Sequence, residues 1–468
     1  MRNRRRNKAA RLARKRISQR LIPSPFEKLE DRHLLATVQW DGGGDGTRWH
    51  DPLNWDSDAL PTAFDDVTIE DSSNDLIVRI DADTNVASIL SSEQLHLVGA
   101  ELKTTSLVVD ELIVDDATLR PPEQSSLAAT IADRLTIDAA AGQFLILGNL
   151  HVQGDLLLRS SMTLVADGTD ANLRVDGDVN LDQASLTASA GGVISMPSAE
   201  RYRHQSTANN QSRQFLATGT GSRLELGGLR SLTGATHYNS GSLFQVADGG
   251  VIDLSSVQAV IDPVEGDTRR RSFSFVAKDA GSQIDLSALA TVTDQNADQR
   301  TSFSATDDAS IQIASLTDAR GTQFLLDGSG SLAVTQLQTL IDSQLILRDN
   351  DLTLSQLASA NRSEFDIAGA QLALPLIDSL RDGAITVGSG GVFDSPQLTN
   401  IDGTDLHVRD GATLSLPGVT GYRHLGDASS IDRTWSASGV DSRLELPNLS
   451  SILGGWGYNN DHVIQADD

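Results

Sequence analysis

Phe244-Gln245-Val246-Ala247-Asp248-Gly249-Gly250-Val251-Ile252-Asp253-Leu254-Ser255-Ser256-Val257 is the stretch that decides how this chain folds. It reads as an aromatic, an Asp-Gly-Gly turn, an aliphatic–polar–aliphatic triplet and a further aliphatic three residues on. In an extended strand successive side chains face opposite sides, so Ile252 and Leu254 point one way and Asp253 the other. A strand this short cannot bury its apolar face alone and needs neighbours. The same unit recurs along the chain. Phe215 leads to Leu224-Glu225-Leu226 and Leu229, and Phe275 to Ile284-Asp285-Leu286 and Leu289. Phe303 leads to Ile311-Gln312-Ile313, Phe324 to Leu332-Ala333-Val334, and Trp435 to Leu444-Glu445-Leu446. Successive triplets lie about 20 to 32 residues apart, the signature of rungs with a constant core and loops of variable length. The expected fold is all-β: a right-handed parallel β-helix, or β-solenoid, of irregular rungs.

Working outward, residues 71–190 carry shorter alternating runs such as Leu95-His96-Leu97-Val98, Leu112-Ile113-Val114 and Leu135-Thr136-Ile137, and form a first solenoid section. Residues 191–468 form a second section that contains a duplication. Residues 195–248 align without gaps on 415–468. Tyr202-Arg203-His204 falls on Tyr422-Arg423-His424, and Ser222-Arg223-Leu224-Glu225-Leu226 falls on Ser442-Arg443-Leu444-Glu445-Leu446. Roughly twenty of about 55 positions are identical, which marks a block of rungs copied together. The first copy runs on into Gly249-Gly250-Val251-Ile252 where the second stops, so the array is expected to be truncated or uncapped.

Composition narrows the function classes. At 468 residues the chain is too long for one ordinary core, and its formal charge of −26 argues against nucleic acid as a partner. There is no cysteine, hence neither a disulfide framework nor a thiolate metal site. No stretch approaches the roughly 18 apolar residues of a membrane span.

The positive charge is concentrated at the start, in Arg2, Arg4, Arg5, Arg6, Lys8, Arg11, Arg14, Lys15, Arg16 and Arg20, a leader expected to be disordered or helical. Phe26-Glu27-Lys28-Leu29-Glu30-Asp31-Arg32-His33-Leu34-Leu35-Ala36 follows. It resembles the LEPR-x-LL-type signature of large exported and surface proteins of planctomycete bacteria, departing at Asp31 where that signature has proline. The resemblance covers residues 1–36 with the leader and implies secretion or display at the cell surface.

Residues 37–70 hold Trp40, Trp49 and Trp55 around Gly42-Gly43-Gly44-Asp45-Gly46, then Pro61 and Asp65-Asp66-Val67. This box resembles the opening segment of bacterial extracellular β-helix proteins, autotransporter-like ones included. Physically it suits a cap, because the first rung exposes an open edge and a bare core end. Asp41, Asp45, Asp51, Asp65 and Asp66 are the calcium candidates, although their spacing is not that of an EF-hand.

No catalytic or cofactor-binding residues are assigned. Tyr-Arg-His, present twice, has the residue types for acid–base work, but it falls between core segments and recurs by duplication; a packing role in a loop is expected. His96, His151, His237, His407 and His462 have no metal-ligand spacing. The triplet centres Glu225, Asp253, Asp285 and Glu445 are expected to form a solvated acidic face. The expected function is that of a non-enzymatic surface or secreted solenoid, an adhesin, spacer or matrix scaffold. Its expected partners are cell-surface or matrix components, polysaccharide among them. The alternative is a β-helix carbohydrate-active enzyme, a lyase or a glycoside hydrolase, which would show acidic side chains converging with aromatics on a groove.

Overall fold

The computed structural model describes residues 37–70, 76–140, 142–296, 298–425, 431–456, 458 and 460–467. The basic leader and the Phe26–Ala36 signature lie outside them. Residues 36–468 form one compact unit. Among the described residues there are forty-five strands and a single 3-10 turn, and every strand-to-strand ladder is parallel. The chain is a parallel β-solenoid.

Its rungs are three-sided over most of the length. Arg213–Thr218, Arg223–Glu225 and Ser231–Thr233 make one turn, and each strand pairs in register with its counterpart in the next turn, Ser242–Ala247, Val251–Asp253 and Ala259–Asp262. The resulting faces are a first sheet of 15 strands, a second of 14 and a third of six. Nearer the start the rungs differ. Ser88–Val98, Ser106–Asp115 and Ala128–Asp138 are long strands of the first sheet, with register shifts at Ser91/Gln94 and Val109/Glu111. The second sheet begins only at Gln143–Ile146, and the third at Arg201–Arg203.

The core follows from stacking equal positions. Phe215, Phe244, Phe275, Phe303 and Phe324 oppose one another in successive rungs. Their rings lie parallel at 4.4, 5.2, 4.9 and 5.5 Å between centroids, all inside the coil. Leu224, Ile252, Ile284, Ile311 and Leu332 form the matching row of the first sheet. The strand spacing of a sheet imposes this ring separation, so the aromatic row is a consequence of the register and in turn pins it.

The three tryptophans of the box are buried and pack on one another beside the first pair of strands. Thr37–Gln39 pairs with Asp66–Ile69, and Trp40 bridges Trp55. The Trp55 ring meets Trp40 at 5.0 Å and Trp49 at 4.8 Å, both edge-on, and its Nε1 donates to Trp49 O at 2.9 Å.

Tyr202 corrects the sequence reading. Arg201–Arg203 is not a loop but a strand of the third sheet, paired with Ser231–Thr233, and Tyr202 and His204 point into the coil. A three-residue strand with one apolar side chain carries too little alternation to be recognised alone.

Candidate functional site

The strands Ala259–Asp262 and Thr291–Asp294 both end on an aspartate, and the two aspartates oppose each other in register. Alternation along each strand that turns Val260 and Val292 inward also turns Asp262 and Asp294 inward, so the pleat buries a carboxylate pair at the corner of the third face. Glycines above and below leave room for it. A Cβ on Gly234 would meet Asp262 Oδ1 at 2.1 Å, and one on Gly321, whose φ is +63°, would lie 1.9 Å from Asp294 O.

One guanidinium faces the first of these acids. Arg271 is fully buried, donates to Glu265 O at 2.7 Å and to Pro263 O, and brings Nε to 3.4 Å from Asp262 Oδ2. That approach is not aligned for a hydrogen bond, and neither Asp262 oxygen has another partner. Asp294 is better held: Oδ1 accepts Asn296 N–H at 3.0 Å and Oδ2 accepts the Thr301 hydroxyl at 2.9 Å. Burial, and then the charge of Asp294, push the Asp262 carboxyl far above the usual carboxylate range, with Arg271 offsetting only part. Burial also raises Asp294, to about 6, against the hydrogen bonds that favour its charged form.

Outside this corner lies a cavity of about 500 Å³ lined by Asp294, Asn296, Arg300, Arg320, Asp342 and Arg362. Arg300 donates to Asp342 O at 3.0 Å and to Glu364 Oε1 at 2.8 Å. Arg362 holds the Asp342 carboxylate with both Nε and Nη2, and Arg320 Nε stands 3.4 Å from Asp318. Asn296 is only 5% exposed, and its side chain lies beside Asp294, yet neither its oxygen nor its nitrogen makes an aligned hydrogen bond. A second concavity, of about 430 Å³, is acidic: Asp155, Asp178, Asp182 and Glu200 line it with Arg134 and Arg201. Two of its carboxylates are engaged, Asp155 by Asp178 N–H at 2.8 Å and Asp182 by Arg203 N–H at 2.9 Å. No aromatic residue lines either concavity.

Of the calcium candidates, Asp41, Asp45 and Asp51 are brought into the cap loop, where their oxygens face N–H groups. Asp45 Oδ1 accepts Thr47 N–H at 2.9 Å, Arg48 N–H at 2.8 Å and the Asn54 amide at 3.0 Å, which together hold its carboxyl down at about 2. Asp51 accepts Asp45 N–H at 2.9 Å and Leu53 N–H at 3.1 Å, and Asp41 accepts Gly43 N–H at 3.0 Å. Asp65 binds Thr62 through N–H and hydroxyl, and Asp66 accepts from Ser88. Among the described residues no group of three or more His, Asp or Glu is disposed to hold a metal ion.

The other sequence candidates are distributed as follows. Glu225, Asp253 and Asp285 do stack in consecutive rungs. Asp253 and Asp285 each accept the N–H two residues on, at 2.9 Å, and Glu225 pairs with Arg223 at 3.2 Å, which relieves the like-charge row. Glu445 stands apart, opposite Ser415. His151 meets Asp176 at 2.7 Å and His407 meets Ser436 at 2.9 Å, in separate places. Tyr202 and His204 share the Ser242 hydroxyl, at 3.2 and 3.0 Å.

Asp262, Asp294, Arg271 and Asn296 were not singled out by the sequence reading. The one available signal is positional: Val260-Ile261-Asp262 and Val292-Thr293-Asp294 stand at the same place in consecutive rungs, where an aliphatic residue would continue the inward row. No family model, curated protein or solved structure matches this chain.

Proposed function

We propose that the protein is a non-enzymatic extracellular or cell-surface solenoid serving as an adhesin, spacer or matrix scaffold. The observation that carries this reading is the unbroken second sheet, whose fourteen strands keep parallel register from Gln143 to Asp467. At about 4.8 Å per strand the stack extends roughly 60 Å. A rigid rod that repeats the same outward faces suits spacing and multivalent display. Export rests on the leader, the Phe26–Ala36 signature and the Trp box. Fractionation of the producing cells with mass spectrometry of the mature N-terminus tests it: recovery outside the cytoplasm supports the proposal, and an intact leader on a purely cytoplasmic protein overturns it.

A carbohydrate-active enzyme is the second reading, and Asp294 favours it, being a carboxyl raised to about 6 in a cavity wall that also holds Asp342. Against it, Asp342 is locked by Arg362 and the acidic groove at Asp155–Glu200 has no aromatic lining. Release of reducing ends or of unsaturated uronate from a polysaccharide panel, lost in Asp294→Asn, would replace the scaffold reading with this one.

A further inference from the structure

We propose that the arginine-rimmed cavity beside Asp294 and Asn296 binds a carboxylated sugar, a uronic-acid residue of an acidic oligosaccharide. This stands whether or not the protein reaches the cell surface, since it rests on the cavity alone.

Charge is the first argument. In a chain of formal charge −26, three guanidinium groups converge on one opening. Arg300 and Arg362 each commit two of their N–H-bearing nitrogens to Asp342 and Glu364. A guanidinium carries five N–H donors, so both retain donors for a ligand, and Arg320, nearly half exposed, faces Asp318 only through Nε at 3.4 Å and keeps its two Nη groups. Planar forks of this kind suit a carboxylate.

Asn296 supplies the second argument. Its side chain is buried in the cavity wall beside Asp294 with no aligned hydrogen bond at either its donor or its acceptor, an arrangement that native structures avoid unless something else completes it. The Asn296 amide oxygen is an acceptor, and it calls for a hydroxyl donor that a bare inorganic anion does not bring. A ligand carrying both a carboxylate and hydroxyls satisfies the two halves of the lining.

Size and lining agree. About 500 Å³ lies within the range of small-ligand pockets. The wall offers no aromatic face for stacking a neutral sugar, so recognition must come from charge and hydrogen bonding.

Titration calorimetry on the full chain tests this, with galacturonate and glucuronate trimers as probes and a neutral glucose trimer and inorganic phosphate as controls. At least one acidic trimer is expected to bind with a Kd below about 1 mM. Binding by the neutral trimer should be at least about tenfold weaker, and Arg320→Gln with Arg300→Gln should weaken the acidic trimer by about tenfold or more. Asn296→Ala should also weaken it, while Arg201→Gln, in the acidic groove, should leave it unchanged. Circular dichroism confirms that each variant is folded, and Arg320→Gln alone, at a half-exposed position, guards against loss of fold. No binding by either acidic trimer, equal binding of the neutral trimer, phosphate binding as tightly as the trimer, or full affinity in the arginine variants would each overturn the proposal.

Discussion

The two copies of the duplicated block carry the same sequence pattern and sit in different surroundings. In the first, Leu224, Leu226 and Leu229 are wholly buried; in the second, Leu444, Leu446 and Leu449 are only partly covered. The strand Arg223–Glu225 has a partner on each side, whereas Arg443–Glu445 pairs only with Thr413–Ser415 among the described residues. Ser242 bridges Tyr202 and His204 by hydrogen bonds, while its counterpart His462 packs its ring on Tyr422 and Trp435, at 4.7 and 4.8 Å. Identical leucines thus differ in burial because burial in a solenoid is a property of adjacent rungs and not of the rung itself.

The sharpest way to break this comparison is at Phe244 and Ile464, which occupy the same place in the two copies. Phe244 lies between Phe215 and Phe275 in the stacked row, and Ile464 is 61% exposed. Phe244→Ala should cost about 3–5 kcal/mol, the usual range for a buried aromatic, and Ile464→Ala under about 1 kcal/mol. Equal costs in urea unfolding would mean that the second copy is covered in solution as fully as the first.

A smaller contrast is expected at Ser242 and His462. Ser242→Ala leaves the buried Tyr202 hydroxyl and His204 Nδ1 without their shared partner, at a cost of about 1–3 kcal/mol. His462→Ala removes ring contacts at the last described rung and should cost less. Glycines give a third contrast. Gly234→Ala drives a methyl into Asp262 Oδ1, whereas the space around the equivalent Gly454 is open. Overpacking should cost Gly234→Ala about 1–3 kcal/mol and leave Gly454→Ala within about 0.5 kcal/mol of wild type in thermal melts.

These pairs also separate what was legible in the sequence from what was not. The inward rows were legible because Phe244, Ile252 and Leu254 recur with their turn, and a side-chain period of two fixes which residues face inward. The tryptophan cluster was legible from the crowding of Trp40, Trp49 and Trp55 in one short stretch. The buried corner was not. Asp262 precedes a proline and Asp294 precedes Gln295-Asn296, so each looks like an ordinary loop acid. Only the register that sets one on the other, between Gly234 and Gly321, turns them into a buried pair beside a cavity. The arginines that rim the cavity, Arg300, Arg320 and Arg362, are scattered over three rungs and carry no local motif.

The smallest expected effect concerns pH, because interior groups near the first copy titrate with opposite signs, His204 against Asp262 and Asp294. His204 is lowered from 6.5 to about 4 by burial and then by the nearby charge of Arg213. Its contribution is fully present above pH 6.5 and is lost as the pH falls toward 4, where the folded state must take up a proton in the interior. Asp262 is raised from 3.8 to about 8, so its contribution is present below pH 3.8 and declines as the pH rises toward 8. Between pH 4 and 6.5 the His204 slope opposes that of Asp262 and, up to about pH 6, that of Asp294, so wild-type stability should fall with rising pH less steeply than the two carboxyls alone would make it. Replacing one group exposes the others: in His204→Gln stability should fall more steeply with rising pH across this window, and in Asp262→Asn it should fall less steeply than in wild type. Melting curves at intervals between pH 4 and 8 check both. Because burial by neighbouring rungs is the main reason these groups depart from their ordinary values, identical pH profiles for wild type and both variants would mean that water reaches these side chains, and that the first copy is stacked no more closely than the second.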